Sequence, residues 1–193
     1  MVMDWFETAF EPEFFEQSQE PKERYLVVCV LSDKKSGESQ VNEFLFGFQN
    51  KLNEISADGD TVFHKSFVYG DTRVCIKNFS EAEEREIYYI DACAAPVPDS
   101  HLMIIADSIV ENLSMNSSAA SVWLVLIKES AYGIGRADEL TLINYYLNRK
   151  ISYNLAMASY QIQEDWLEEF VKKQGGKVFS FEEVEKLVDY IRS

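Results

Sequence analysis

Apolar and polar residues follow two patterns along this chain: short unbroken apolar runs, and longer stretches with an apolar residue at every third or fourth position. The unbroken runs, such as Tyr25–Leu31 and Ser121–Ile127, are typical of strands buried on both faces of a sheet. The longer stretches, such as Val41–Ile55, predict helices with one apolar face. The chain therefore predicts strands and helices in alternation.

One hairpin interrupts this alternation near the start. The runs TVFHKSFVY and TRVCIKNF are joined at Gly70-Asp71, a pair suited to a tight turn between antiparallel strands. A capping-box pattern from Ser80 to Glu83 then predicts a short helix. The order β, α, β, β, α, β, α, β, α, β, α predicts a three-layer α/β fold of Rossmann-like type. Its sheet is expected to have six strands, mostly parallel, with one antiparallel edge strand.

Two later helices are predicted by local signals. Leu140, Ile143 and Leu147 recur at helical spacing and indicate one inward face. A second capping box, from Ser180 to Glu183, starts the closing helix.

The first 22 residues differ in character from the remainder. Residues 1–17 contain five acidic residues and no basic residue, with aromatics between them. We predict an acidic aromatic arm, 1–22, before an α/β domain, 23–193. The arm is too short to form a core, so its aromatics either pack on their own domain or dock on a partner or a second copy. These aromatics are Trp5, Phe6, Phe10, Phe14 and Phe15.

The formal net charge of −15 disfavours binding to nucleic acid or to an anionic membrane. No window approaches the roughly 18 apolar residues of a membrane span, and no secretory signal is present, so a cytoplasmic location is expected. The three cysteines, Cys29, Cys75 and Cys93, are far apart and have apolar neighbours, which favours reduced core thiols.

Three stretches carry a resemblance to a known family: SGESQVNEFLFGFQNKLNEI, TVFHKSFVYGDTRVCIKNF and GGKVFSFEEVEKLVDYI. They resemble the loop and first helix, the hairpin, and the closing strand and helix of the von Willebrand factor A domain. The small bacterial versions associated with tellurite and stress resistance are the most similar. The resemblance implies a ligand site at the carboxyl ends of the parallel strands.

In that family the site holds Mg²⁺ through an Asp-x-Ser-x-Ser loop, a Thr ahead of the third helix and an Asp ending the fourth strand. Here the loop reads Ser32-Asp33-Lys34-Lys35-Ser36, so a lysine replaces a ligand hydroxyl in either register. The Thr position falls in 95–98, which has no hydroxyl, and the Asp position becomes Lys128 or Glu129. The resemblance thus implies a degenerate site without metal or other cofactor.

We hypothesise that Lys34 or Lys35 replaces the metal and pairs with Asp33 or Glu129; the alternative is that both lysines are solvated loop residues. The candidate binding surface consists of Ser32, Asp33, Lys34, Lys35, Ser36, His101 and Glu129.

The expected function is non-enzymatic protein–protein interaction, as an adaptor or assembly subunit in a bacterial stress or defence system. The arm offers a route to a homo-oligomer. The alternative is a hydrolase or nucleotide-binding protein that uses the same edge of the sheet, in which His101 activates Ser32 or Ser36.

Overall fold

The computed structural model describes residues 21–31, 39–70, 74–79, 84–89, 97–116, 121–129 and 134–193, with backbone alone for 39, 74–79 and 84–89. Seven strands lie in these ranges: β1 Lys22–Leu31, β2 Thr61–Gly70, β3 Val74–Phe79, β4 Glu84–Tyr89, β5 Ser121–Lys128, β6 Asn154–Ser159 and β7 Lys177–Ser180. The same ranges hold five α-helices: α1 Ser39–Ala57, α2 Asp99–Asn116, α3 Arg136–Tyr146, α4 Trp166–Lys173 and α5 Val184–Arg192.

The strands form one sheet in the order β4-β3-β2-β1-β5-β6-β7. The block β2-β1-β5-β6-β7 is parallel throughout, as expected where helical crossovers join successive strands. β3 runs antiparallel to β2, with Gly70 opposite Val74. This confirms the mostly parallel α/β, Rossmann-like arrangement predicted from the alternation.

The prediction of six strands with the run TRVCIKNF as the antiparallel edge strand is wrong. β4 pairs antiparallel with β3 and lies outside it, so β3 is an inner strand and β4 is the edge. The helix predicted to begin at Ser80 is replaced over Glu84–Tyr89 by this strand. A capping box is a four-residue signal, whereas pairing along β3 satisfies the backbone groups of a whole strand and is favoured by its Ile and Tyr residues.

Helices cover the two faces of the sheet. Along β1, Leu26 and Val28 pack in the cluster that contains residues of α1 and α5, while Val27 and Cys29 pack in the cluster that contains residues of α2, α3 and α4. Burying each such aliphatic side chain stabilises the fold by about 1.5–3 kcal/mol. Burial also raises the pKa of the Cys29 thiol, which fits the prediction of an inert core thiol for this cysteine.

The prediction of the inward face of α3 is wrong for its first and last residues. Leu142 and Tyr146 are the buried residues of α3, whereas Leu140 and Leu147 are exposed. The helix ends at Tyr146, and Leu147 is its C-cap residue. The sequence allows two apolar stripes on this helix, the predicted one and one that contains Leu142 and Tyr146. Packing against α2 selects the stripe that contains the tyrosine.

Within the described part, none of the helices has the length and apolar character needed to cross a membrane.

Candidate functional site

The carboxyl ends of β1, β5 and β6 are held together by backbone hydrogen bonds that continue past the strands. The N–H of Glu129 donates to the carbonyl of Leu31 at 3.0 Å, and the N–H of Tyr160 donates to the carbonyl of Lys128 at 2.9 Å. In open α/β sheets, ligands bind outside the carboxyl ends of the strands where the chain order reverses. Here that point lies between β1 and β5.

Lys128, the last residue of β5, is buried. Its side chain continues the row of Val122, Leu124 and Leu126 on the face covered by α2, α3 and α4. Its Nζ donates to Oδ2 of Asp165 and lies 3.7 Å from Oε1 of Glu168. A buried ammonium therefore lies beside two carboxylates at the centre of the sheet's carboxyl edge.

The two carboxylates also organise the start of α4. Asp165 is the N-cap residue, and its Oδ1 accepts from the N–H of Glu168 at 2.9 Å. Glu168 is fully buried, and its Oε1 accepts from the N–H of Gln163 at 2.8 Å. Its second oxygen, Oε2, is buried and has no hydrogen-bond partner. One cation thus faces two anions, and the site keeps a carboxylate oxygen that accepts no hydrogen bond.

A second polar contact at this edge fixes the start of α2. Ser100 is buried, and its hydroxyl and N–H both donate to Oδ1 of Asp138, the N–H at 3.2 Å. Asp138 belongs to the first turn of α3. The starts of α2 and α3 are therefore joined directly, next to the strand ends.

The structure reaches only part of the predicted binding surface. Ser32, Asp33, Lys34, Lys35 and Ser36 lie outside the described residues, so the lysine hypothesis for this loop stays a prediction. Glu129 is buried at the strand ends, whereas His101 is exposed in the first turn of α2. The arm aromatics Trp5, Phe6, Phe10, Phe14 and Phe15 also lie outside the described residues.

Sequence reasoning missed Asp165 and Glu168 and gave Lys128 no role of its own. The sequence Asp165-x-x-Glu168 before an apolar helix face is a helix-start signal and predicts the cap. Nothing local predicts that Glu168 is buried, because two glutamates in succession, Glu168 and Glu169, read equally as solvated. Only Lys128 on β5, which lies beside Glu168, distinguishes the buried glutamate from the exposed one.

Away from this edge, Asp107 of α2 forms a buried polar cluster with α3 and the segment before β6. The cluster consists of Asp107, Glu111, Tyr145, Tyr146, Arg149 and Tyr153. Asp107 accepts from the hydroxyls of Tyr145 at 2.8 Å, Tyr146 at 3.1 Å, and Tyr153, while Nη2 of Arg149 lies 3.1 Å from it. Burial raises the pKa of Tyr145 to about 12 and also raises the pKa values of Tyr146 and Tyr153. Both oxygens of the carboxylate are satisfied, which indicates a structural link between α2 and α3.

No group of three or more His, Cys, Asp or Glu residues suited to a metal ion occurs in the described part of the chain.

The sequence matches no protein-family profile, and a comparison with curated proteins finds no match. Among solved structures, the human COPII-coat protein Sec24c is similar at 10% sequence identity, with a TM-score of 0.39. The match covers 84% of this chain and 30% of that protein's chain, so this chain spans less than a third of its length. A likeness at this level carries no argument about function.

Proposed function

We propose that this protein is a protein–protein interaction module of the von Willebrand factor A type that binds its partner at the carboxyl edge of the sheet without a metal ion. The observation that supports this most directly is Lys128. It stands at the end of β5, the strand that the family counts as its fourth, where the resemblance implies an aspartate ligand.

The charge arrangement at Lys128 explains why a divalent cation is disfavoured there. Its ammonium would repel each unit of positive charge 4 Å away by about 4 kcal/mol at an effective dielectric constant of 20. Two carboxylates, those of Asp165 and Glu168, already form ion pairs with this ammonium. Lys128 thereby supplies the positive charge that a metal supplies in an intact site. This assigns the role that was predicted for Lys34 or Lys35 to a different lysine.

The loop after β6 provides apolar surface for a partner beside this site. Ile162 is 51% exposed. Tyr160 is held in place because its hydroxyl accepts from Nε2 of Gln40 at 2.9 Å and its ring packs edge-on against Phe181. A fixed aromatic ring next to an exposed isoleucine suits a protein surface, since apolar anchors with a rigid frame carry much of the energy of protein interfaces.

The role as adaptor or assembly subunit in a bacterial stress or defence system is part of this proposal and rests on the resemblance alone.

The test compares the wild-type chain with Ile162→Asp and with Phe46→Asp as baits in extracts of the native host. Phe46 is the matched control, because it is also an exposed apolar residue but lies on α1. We expect a partner that the wild type and Phe46→Asp retain and Ile162→Asp loses. The partner is then purified, and its Kd is measured with the wild type in EDTA and in Mg²⁺.

Equal Kd values in EDTA and Mg²⁺ support the metal-free site. Binding that disappears in EDTA would refute it. A partner that Ile162→Asp and wild type bind equally well would refute the proposed surface.

A further inference from the structure

Two apolar side chains at the opposite, amino edge of the sheet are strongly exposed. Met115, in the last turn of α2, is 78% exposed, and Leu147, directly after α3, is 69% exposed. Leaving large apolar side chains in water is unfavourable, and neighbouring exposed apolar residues mark interaction surfaces.

The two side chains lie at the same corner of the molecule. Glu111 is one helical turn before Met115 on α2, and Arg149 is two residues after Leu147. Nη2 of Arg149 lies 2.5 Å from Oε2 of Glu111. The hydroxyl of Ser114 donates to the carbonyl of Ser152 at 3.0 Å, which holds the end of α2 against the segment before β6. We call Met115 and Leu147 the amino-edge patch.

We propose that residues 1–20 of the same chain, the acidic aromatic arm, dock on the amino-edge patch and cover Met115 and Leu147 with aromatic side chains. This inference concerns the opposite edge from the proposed partner site, and it does not rest on the proposed function.

The arm joins the domain close to the patch. β1 begins at Lys22, and Arg24 is paired with Ser121 at the start of β5. Five residues, 116–120, lie between Met115 and Ser121, which limits the path from Pro21 to the patch to roughly 35 Å. An extended chain of 20 residues spans up to about 70 Å. The arm is therefore long enough to bring more than one of its aromatics to the patch.

Charge favours this patch over Ile162 and Phe46, two other strongly exposed apolar residues. The arm carries six acidic residues and no basic residue in 1–20. Near the patch and the arm's exit, Lys150 and Lys22 are exposed and form no ion pair with another described residue. Ile162, at the carboxyl edge, is instead followed by Glu164 and Asp165.

Phe46, on α1, has no basic residue next to it in the sequence. No basic residue lies within one helical turn of it, and the exposed acidic residue Glu43 does. The acidic arm is attracted most by the amino-edge patch, because opposite charges favour and like charges oppose the approach of two surfaces.

The experiment labels the full chain with 5-fluorotryptophan and records ¹⁹F NMR spectra. The chain has three tryptophans, and Trp5→Phe identifies the Trp5 resonance. A labelled synthetic peptide of residues 1–20 gives the position of a free arm. We expect the Trp5 resonance of the wild type to differ from the free position and to be independent of protein concentration. Met115→Asp and Leu147→Asp should each move it to the free position, and Phe46→Asp should not.

Hydrogen exchange gives a second measurement. Deleting residues 1–20 should speed exchange at the ends of α2 and α3 by roughly tenfold, the factor that corresponds to losing one buried apolar contact.

Three results would overturn the proposal. The first is a Trp5 resonance at the free position in the wild type. The second is a displacement that grows with protein concentration, since that indicates docking on a second copy. The third is a Trp5 resonance that moves to the free position in Phe46→Asp or Ile162→Asp, whether or not it also does so in Leu147→Asp.

Discussion

Lys128 shows how a single residue determines the character of the sheet's carboxyl edge. A buried ammonium is costly unless carboxylates compensate for its lost hydration. Asp165 contacts it directly and Glu168 lies 3.7 Å away. The three side chains therefore depend on one another, and removing the lysine leaves two carboxylates close together without a cation.

We predict that Lys128→Met lowers the free energy of unfolding by about 3–5 kcal/mol, because breaking a buried ion pair leaves uncompensated charge. Replacing Glu168 by Gln in the same chain should recover part of that loss. Urea unfolding followed by circular dichroism measures both variants. Lys172→Met, on an exposed position of α4, is the matched control and should change stability by less than about 0.5 kcal/mol. A Lys128→Met variant as stable as this control would show that the buried pair contributes nothing.

The tyrosines around Asp107 make stability depend on alkaline pH. Burial and hydrogen bonding to Asp107 raise the pKa of Tyr145 to about 12, and burial raises the pKa values of Tyr146 and Tyr153. In the unfolded chain each phenol titrates near pH 10. Above that pH the unfolded state binds fewer protons than the folded state, so stability is complete below about pH 10 and decreases as pH rises toward 12.

We therefore expect the free energy of unfolding to fall between pH 10 and 11.5, with a smaller slope in Tyr146→Phe, which has one fewer phenol to ionise on unfolding. Urea titrations at each pH give these slopes. Tyr160→Phe alters a tyrosine outside the cluster and should retain the wild-type slope. Equal slopes in all three proteins would contradict the role assigned to Tyr146.

At the scale of elements, two glycines have different roles. Gly176 connects α4 to β7, and a Cβ there would lie 2.5 Å from the carbonyl oxygen of Leu155 and 2.9 Å from Cγ1 of Val171. Gly47 lies inside α1, where a Cβ would meet nothing within 4 Å. The first glycine permits close packing of α4 and β7 against β6, and the second only weakens a helix.

We predict that Gly176→Ala destabilises the protein by about 1–3 kcal/mol, because backbone atoms must move to admit the methyl group. Gly47→Ala should stabilise it by about 0.5–1 kcal/mol, because alanine has the higher helix propensity. Thermal unfolding of the two variants beside the wild type provides the test. A neutral Gly176→Ala would show that the connection adjusts without cost.

The elements that the sequence predicted well are those whose signal is long or chemically specific. The apolar runs of β1 and β5 and the capping box at Ser180 and Glu183 are found as predicted. The failures are β4 and the inward face of α3. The helix signal at Ser80 is only four residues long, and pairing with β3 overrides it. Two apolar stripes compete around Leu142, and packing against α2 selects the buried one. Periodicity along the chain contains no information about these neighbouring elements.

At the scale of the whole molecule, the sheet organises both regions of interest. The parallel block places the ends of β1, β5 and β6 at one edge and the exit of the arm at the other. The partner site and the arm site proposed above are therefore on opposite edges. Most of the surface repels anions because of the net charge of −15, so the proposed docking of the acidic arm requires a few exposed lysines.

The sequence by itself determined the α/β class and the parallel block, because these follow from periodicity and from the order of elements along the chain. The tertiary structure decided that β4 continues the sheet, that α3 turns Leu142 and Tyr146 inward, and that Lys128 pairs with Asp165 and Glu168. These outcomes depend on contacts between residues 37 and 40 positions apart or between neighbouring elements. Whether a charged residue is buried depends on the partner that the fold brings to it, and local sequence carries no record of that partner.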